Sequence, residues 1–268
     1  MAPLGRKLLH KVTLTPDAIT LRYRMLNRPA FPPMDSTASP TAIVTGASRG
    51  IGRAISIALA EHGYRVAMVA RSNDLLDQLH HQLAERGLAT LPIVADITDD
   101  DAIEHIVQAT LRWSGSIAVL VNNAGIGIFK PAIELTAEEF DAMWRLNVRA
   151  PMVLTRAVLP QMIAAQHGAI VNIASLAGKN SFAGGTGYAA TKWALRGWAS
   201  SLMLEVRQHN IRVITICPGS VDTGFSSINK RGDHITQPED VAAAVVFALS
   251  APERTMVSEI DLRPTRPS

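Results

Sequence analysis

The stretch TAIVTGASRGIGRAISIALAEHG, residues 41–63, carries the signals that decide the fold. It begins with a short run of apolar and β-branched residues, passes through a glycine-rich turn, and ends in a segment whose apolar residues recur at helical spacing. Gly46, Gly50 and Gly52 permit a tight turn and let backbone N–H groups at the start of a helix approach a pyrophosphate. Since strand, turn and helix follow in the required order, the stretch predicts a dinucleotide-binding βα unit.

The rest of the chain repeats this alternation of apolar runs and amphipathic segments. Six more apolar runs follow the first: RVAMVA, ATLPIVA, IAVLVN, GAIVNIA, IRVITIC and VSEIDL. Strands that are apolar along nearly their whole length are typical of a parallel sheet with helices on both faces. We therefore predict one α/β domain over residues 41–268, with no second domain boundary.

Residues 1–40 differ from the rest of the chain in pattern and charge. They show no sustained period and are interrupted by prolines, so we predict a disordered or loosely attached extension. Six basic against two acidic residues give this segment a net charge of +4. Two alternatives stay open: translation could start at Met34, or the basic leader could be a transit peptide.

The composition of residues 41–268 excludes several classes of protein. With 20 basic and 21 acidic residues this part has a net charge of −1, and only 5% of the whole chain is aromatic, so we expect no nucleic-acid partner. No apolar run approaches the ~20 residues of a membrane span. The single cysteine, Cys217, lies in an apolar run, which favours a buried residue in a reducing compartment and a cytoplasmic protein. The eight histidines show no HxxxH pair, and we predict no metal site.

The residues after the second apolar run indicate which dinucleotide binds. A carboxylate there would bond the adenosine ribose hydroxyls and repel a 2′-phosphate, whereas an arginine accommodates that phosphate. This chain has Ala70 followed by Arg71, and Arg49 lies in the glycine turn. The pattern predicts NADP as the cofactor.

A tyrosine and a lysine lie one helical turn apart in YAATK, residues 188–192. Their side chains project from the same helix face and can meet. On spacing alone, Tyr188 and Lys192 would be an ordinary pair of surface neighbours, and only the remaining motifs favour a catalytic role.

Four motifs in this order, TGASRGIG, NNAG, YAATK and PGSVDT, make the chain resemble the short-chain dehydrogenase/reductases of the TGxxxGxG branch over about residues 41–262. The resemblance implies a single Rossmann-like domain, doubly wound around a parallel sheet of about seven strands. It also implies which residues bind the cofactor: Gly46, Ser48, Arg49, Gly50, Ile51, Gly52, Arg71, Asp96, Ile97, Asn123, Ala124, Gly125, Tyr188, Lys192, Pro218, Gly219, Val221 and Thr223.

The resemblance gives the tyrosine and lysine a chemistry. Tyr188 would protonate a carbonyl oxygen as hydride arrives from the nicotinamide, with its pKa lowered by the ammonium of Lys192 and by an oxidised nicotinamide. Ser175 follows an apolar strand, so its hydroxyl should emerge at the carboxyl edge of the sheet, where ligands bind. By resemblance it orients the substrate oxygen and stabilises its developing charge.

Asn147 completes the implied catalytic set of Asn147, Ser175, Tyr188 and Lys192. It lies on a helix that should open at a capping box, Thr136 to Glu139. Because Pro151 has no N–H, the carbonyl of Asn147 loses its helical partner and can accept a bond from water. In the family a proton relay runs through a water at this carbonyl to the lysine.

The substrate is less well defined by the sequence. We expect a small-molecule or carrier-bound carbonyl compound, with 3-oxoacyl-carrier-protein reductase as the leading activity and a sugar, steroid or pterin oxidoreductase as the alternative. A binding protein that senses NADP without turnover is a third possibility. Residues 224–236, after PGSVDT, form a short segment for a family that chooses substrates there. We expect a homo-oligomer, a dimer or a tetramer, although the chain end lacks the glycine-containing finish that helps tetramers pack.

Overall fold

The computed structural model describes residues 39–225 and 235–265 of the 268-residue chain. Two expectations fall largely outside these ranges. The predicted N-terminal extension is described only at Ser39 and Pro40, and it stays a prediction. Residues 226–234 of the predicted substrate-selecting segment also lie outside the described residues.

A parallel sheet of seven strands forms the centre of the described structure, in the order β3-β2-β1-β4-β5-β6-β7. The strands are β1 Thr41–Thr45, β2 Arg65–Ala70, β3 Thr90–Val94, β4 Val119–Asn122, β5 Gly168–Ile173, β6 Ile211–Pro218 and β7 Glu259–Leu262. Each apolar run identified in the sequence corresponds to one of them, and β6 extends one residue beyond its run, to Pro218. The prediction of a doubly wound α/β sheet is confirmed.

Helices connect the strands and cover both faces of the sheet. They are α1 Gly50–Glu61, α2 Asn73–Ala84, α3 Asp100–Ser114, α4 Ala137–Trp144, α5 Ala150–Ala165, α6 Thr186–Val206 and α7 Pro238–Leu249. Short 3-10 turns, Leu176–Gly178 and Arg207–His209, follow β5 and α6, and a π-helical turn, Arg145–Arg149, joins α4 to α5. None of the helices in the described ranges combines the length and apolar character that a membrane crossing requires.

Each face of the sheet has its own buried core. Because side chains alternate along a strand, Ala42 and Val44 of β1 pack on one face and Ile43 packs on the other. Helices α1, α2 and α7 cover the first face, and α3, α5 and α6 cover the second. All five residues of β1 are buried, which is why the strand reads as a continuous apolar run.

The strand order places a cleft at one edge of the sheet. From β1 the chain winds outward through β2 to β3, whereas from β4 it winds in the opposite direction toward β7. In such sheets the carboxyl ends of the two central strands diverge and leave a crevice between their following loops. The glycine turn after β1 and the NNAG motif at the end of β4 both lie at this crevice.

Candidate active site

The glycine turn between β1 and α1 is held by close backbone packing. Gly46 has a φ of +67°, which an L-residue with a side chain rarely adopts. A Cβ on Gly52 would lie 2.2 Å from the carbonyl oxygen of Gly46, so no larger residue fits there. Arg49 precedes the helix without capping it through its side chain, and the first turn of α1 contains no acidic residue. The N–H groups at the start of α1 are therefore available to an anion.

Thr45, at the end of β1, connects the glycine turn to the loop after β4. Its hydroxyl oxygen accepts hydrogen bonds from the backbone N–H groups of Asn123 (3.0 Å) and Ala124 (3.1 Å). The side chain of Asn123 donates in return to the Thr45 carbonyl at 2.8 Å. The NNAG motif thus holds the loop after β4 against the end of β1, and this structural role is compatible with a second role in cofactor binding.

A cavity of about 1390 Å³ extends from the glycine turn to the loop after β6. Most of the residues predicted to bind a cofactor line it. They are Gly46, Ser48, Arg49, Gly50, Ile51, Arg71, Asp96, Ile97, Asn123, Ala124, Gly125, Tyr188, Lys192, Pro218, Gly219, Val221 and Thr223. Gly52 lies behind the turn and shapes it, and Asn147 is buried behind the wall of the cavity.

At the β2 end of this cavity, Arg71 is open to solvent. Its side chain is 74% exposed, and its guanidinium lies 3.7 Å from the carboxylate of Asp96. Burial raises the pKa of Asp96, but hydrogen bonds from the backbone and side chain of Thr98, together with Arg71, hold it below the ordinary value. An exposed cation beside a fixed carboxylate can turn toward an incoming phosphate.

Ser175, Tyr188 and Lys192 lie together at the other end of the cavity. The ammonium of Lys192 donates to the Ile173 carbonyl at 2.9 Å and lies 5.8 Å from the centroid of the Tyr188 ring. The Ser175 hydroxyl donates to the Pro218 carbonyl at 3.4 Å and accepts from the backbone N–H of Ala177 at 3.1 Å. The structure thus places Ser175, which follows β5, beside Tyr188 and Lys192 of α6.

Burial governs the protonation of this group. It raises the pKa of Tyr188 to about 12, against an opposing hydrogen bond with Ser175, and it lowers the pKa of Lys192 to about 8. In the chain by itself the phenol loses hydration on burial, and this loss keeps its pKa above the ordinary value. The expected lowering by the ammonium together with an oxidised nicotinamide stays a prediction. At neutral pH both groups hold their protons.

Asn147 lies in the π-helical turn, where the N–H of Ala150 donates to the carbonyl of Arg145. This widened turn precedes Pro151 and agrees with the local opening expected from that proline. The Asn147 side chain accepts from the N–H of Ile126 (2.9 Å) and donates to the Ile126 carbonyl (2.8 Å) and the Thr191 hydroxyl (3.0 Å). It therefore ties the loop after β4 to the residue next to Lys192.

Other candidate chemistry is weak in the described part of the chain. Burial, with the nearby Glu259 carboxylate, raises the pKa of the Cys217 thiol to about 11, so it is protonated and unreactive at neutral pH. In residues 39–225 and 235–265, no group of three or more histidine, cysteine or carboxylate side chains is placed to hold a metal ion.

Sequence reasoning missed five residues that shape the site: Thr45, Thr191, Phe129, Phe182 and Phe225. Thr191 had a usable signal, since it directly precedes Lys192 and its hydroxyl donates to the Tyr188 carbonyl at 2.8 Å. The three phenylalanines come from separate segments, so no spacing in the sequence links them.

Comparison with known proteins gives consistent matches. The model of the family described as short chain dehydrogenase matches residues 40–233. An uncharacterized oxidoreductase of Staphylococcus aureus strain MRSA252 is 31% identical over 224 residues, which are 83% of this chain and 96% of that protein.

Solved structures agree with the family match. A metagenomic short-chain oxidoreductase in complex with NADP is 37% identical, with a TM-score of 0.76 over 86% of this chain and 99% of that one. An alcohol dehydrogenase from the archaeon Thermococcus sibiricus, complexed with 5-hydroxy-NADP, is 33% identical, with a TM-score of 0.80 and the same coverage. Levodione reductase is 27% identical, with a TM-score of 0.79 over 85% of this chain and 97% of that one.

Proposed function

This chain belongs to the short chain dehydrogenase family of oxidoreductases, and from that premise we propose that it is an NADPH-dependent reductase that converts a carbonyl group into a secondary alcohol. One observation carries the proposal. A single cavity joins the glycine turn and an exposed arginine to a partly buried serine and a buried tyrosine and lysine. The first set suits a dinucleotide, and the second suits a carbonyl oxygen that gains negative charge.

The residues at the β2 end fit NADP better than NAD. Ala70 stands where a carboxylate would exclude a 2′-phosphate, and Arg71 and Arg49 line the cavity beside it. The free N–H groups at the start of α1 would receive the pyrophosphate. The NADP bound to a related short-chain oxidoreductase supports the same choice. When bound, the cofactor supplies the hydride that adds to the carbonyl carbon.

Tyr188 is the proton donor in this proposal. With a pKa of about 12 the phenol is protonated at neutral pH, so it can give its proton to the oxygen as hydride adds to the carbon. Hydride and proton together turn the carbonyl into a secondary alcohol, and the phenolate then regains a proton from solvent. The hydroxyl of Ser175, hydrogen-bonded with Tyr188, orients the same oxygen.

Lys192 and Asn147 support this transfer. Below pH 8 the ammonium of Lys192 stays charged and favours the phenolate left after proton donation. Asn147 acts as a positioning residue, because its side chain holds Ile126 of the loop after β4 and Thr191, the residue before Lys192. A proton relay through its backbone carbonyl, as in the family, remains part of the proposal.

Several substrate classes are compatible with the proposed reductase activity. The sequence-based hypothesis of 3-oxoacyl-carrier-protein reductase stands beside oxidoreductases acting on a sugar, steroid or pterin. We also keep the predictions of a homo-oligomer, dimer or tetramer, and of a cytoplasmic location. A cofactor sensor without turnover is disfavoured because all four predicted catalytic residues are present: Ser175, Tyr188 and Lys192 line one cavity, and Asn147 is hydrogen-bonded to Thr191 behind it.

Purified protein, NADPH and a panel of carbonyl compounds test the proposal, with NADPH consumption followed by absorbance and the product identified as an alcohol. We expect turnover with at least one class of ketone and a preference for NADPH over NADH. Tight NADPH binding without turnover of any carbonyl would favour the sensor. Failure to bind either nucleotide would overturn the proposal.

A further inference from the structure

Three phenylalanines from separate segments form a connected aromatic group in the cavity, and two of them contact the ring of Tyr188. Phe129 follows β4, Phe182 precedes α6 and Phe225 follows β6. The ring centroids of Phe129 and Phe225 lie 5.3 and 5.9 Å from that of Tyr188. Phe129 in turn lies 6.0 Å from Phe182 and 6.4 Å from Phe225. We call Phe129, Phe182 and Phe225 the aromatic wall.

The aromatic wall leaves much of its surface open. The three residues are 41%, 45% and 46% exposed, in the order of the sequence, although they line the cavity that holds Tyr188. Apolar surface of this kind is stabilised when a ligand covers it. The wall therefore offers an uncovered apolar contact next to the proposed proton donor.

Two glycines let the rings lie directly on the backbone. A Cβ on Gly127 would approach a ring carbon of Phe129 to 2.7 Å and one of Phe225 to 2.8 Å. A Cβ on Gly185 would come within 2.4 Å of the ring of Phe182. Any larger residue at either glycine would push the rings toward the cavity or away from each other, so the glycines set the shape of the wall.

The surroundings of the wall do not favour a charged group on the substrate. Within the described ranges, no arginine or lysine lies over a ring of the wall. The nearby ammonium of Lys130 is already paired with the carboxylate of Glu139 at 2.5 Å. The rings of the wall themselves offer an anionic substrate group no hydrogen-bond donor in place of the hydration it would lose there.

We propose that the aromatic wall makes this enzyme select ketones that carry an aromatic ring next to the carbonyl. This rests on the proposed reductase function and names its substrate class. The wall rings meet one another and the Tyr188 ring at interplanar angles of 49° to 71°, tilted or edge-to-face. An incoming ring can extend this arrangement with further edge-to-face or offset contacts, whereas an alkyl group gains only the burial of its area.

The test compares kcat/KM for three methyl ketones: phenyl methyl ketone, cyclohexyl methyl ketone of similar size, and small methyl ethyl ketone. For the natural protein we expect about a 3- to 10-fold preference for the phenyl over the cyclohexyl compound, the range of one or two aromatic pairs. Phe129→Ala should lower kcat/KM for the phenyl ketone about tenfold or more and change that for methyl ethyl ketone by less than about threefold.

Two further variants test whether the effect of Phe129→Ala comes from the aromatic wall itself. Phe247→Ala removes a ring that is 66% exposed on α7 and does not line the cavity, so it should leave all three values unchanged. Gly127→Ala keeps every ring but displaces two of them, and it should reduce the phenyl preference while methyl ethyl ketone turnover persists. An equal loss for all three ketones in Phe129→Ala, or no loss for any, would overturn the proposal.

The experiment distinguishes an incorrect assignment of ring selection to the aromatic wall from an incorrect assignment of reductase activity. Reduction of ketones without a ring preference, or a higher kcat/KM for acetoacetyl-coenzyme A than for the phenyl ketone, would reject the wall and leave the reductase intact. If no ketone is reduced, calorimetric binding of 1-phenylethanol decides the matter separately. Binding that weakens in Phe129→Ala would support the wall, and binding that is absent or unaltered would reject it.

Discussion

Replacement of Lys192 by Met should make the protein more stable at neutral pH while it removes activity. The lysine is only 5% exposed, and burial lowers its pKa from the ordinary 10.5 to about 8. A difference of this size corresponds to a free-energy cost of about 3 kcal/mol for keeping the ammonium charged in the folded protein. Methionine has a similar length and carries no charge, so the variant avoids that cost.

One lost contact opposes the gain. The ammonium donates to the Ile173 carbonyl at 2.9 Å, and its removal should cost about 1 kcal/mol. The net increase in the free energy of unfolding is then about 2 kcal/mol at pH 6.5. For a domain of this size that corresponds to a rise in Tm of about 4–8 °C.

The advantage of Lys192→Met should depend on pH in one direction. Between pH 8 and 10.5 the unfolded chain still binds the lysine proton, whereas the folded protein has lost it. The free energy of unfolding of the natural protein therefore rises with pH across this window. The variant lacks this rise, so its advantage should be complete below pH 8 and gone by about pH 10.5.

Urea unfolding at pH 6.5, 8 and 10 measures the effect in cofactor-free protein. Lys130→Met is the matched control, because the Lys130 side chain is 39% exposed and paired with Glu139, and the variant should give no stability gain at pH 6.5. NADPH binding and ketone turnover should both fall in Lys192→Met, since the side chain lines the cavity. A variant less stable than the natural protein at pH 6.5, or a difference that is equal at pH 6.5 and 10, would refute the reasoning.

Three further predictions follow from the same structure. Tyr188→Phe should lower turnover by at least ~10²-fold with NADPH affinity nearly unchanged, because it removes only the transferable proton. The control is Tyr64→Phe, a change at a buried tyrosine that does not line the cavity. If Tyr188→Phe retains more than about a tenth of the turnover, Tyr188 is not the proton donor. Arg71→Asp should weaken NADP binding about tenfold or more and make the protein prefer NAD, whereas the control Arg207→Asp should leave both affinities unchanged. Equal affinities of the natural protein for NADP and NAD would contradict the assignment of Arg71 to the 2′-phosphate. A chain that begins at Met34 should keep its solubility and activity, and loss of either would show that the N-terminal segment supports the fold.

Much of the architecture was predictable because burial on both faces of a parallel sheet leaves a direct trace in the sequence. The residues of β1 and β4 must be apolar on both sides, so they appear as continuous runs. The position of Ser175 followed from the same rule, since a residue just after a strand lies at the carboxyl edge of the sheet. The glycine turn was predictable because a φ of +67° at Gly46 selects for glycine.

The electrostatics of the site were not predictable, because they depend on distant segments that pack together. The pKa of Tyr188 is raised by burial beneath rings from positions 129 and 225, and neither position is marked by any periodicity. The π-helical turn around Asn147 was indicated only indirectly, by the proline four residues later. The local sequence pattern thus predicted where the catalytic side chains lie, whereas their protonation states could be derived only from the packed structure.

Burial also bears on the direction in which the proposed reaction runs most easily. At pH 7 a phenol with a pKa of about 12 is ionised in only about one molecule in 10⁵. Carbonyl reduction uses the protonated phenol that the folded chain already provides, whereas alcohol oxidation requires the rare phenolate. The positive ring of an oxidised nicotinamide would lower that pKa, and Lys192, charged below pH 8, would add to the effect. Alcohol oxidation therefore depends on the charges of Lys192 and of a bound oxidised nicotinamide, which together must offset the effect of burial on the phenol.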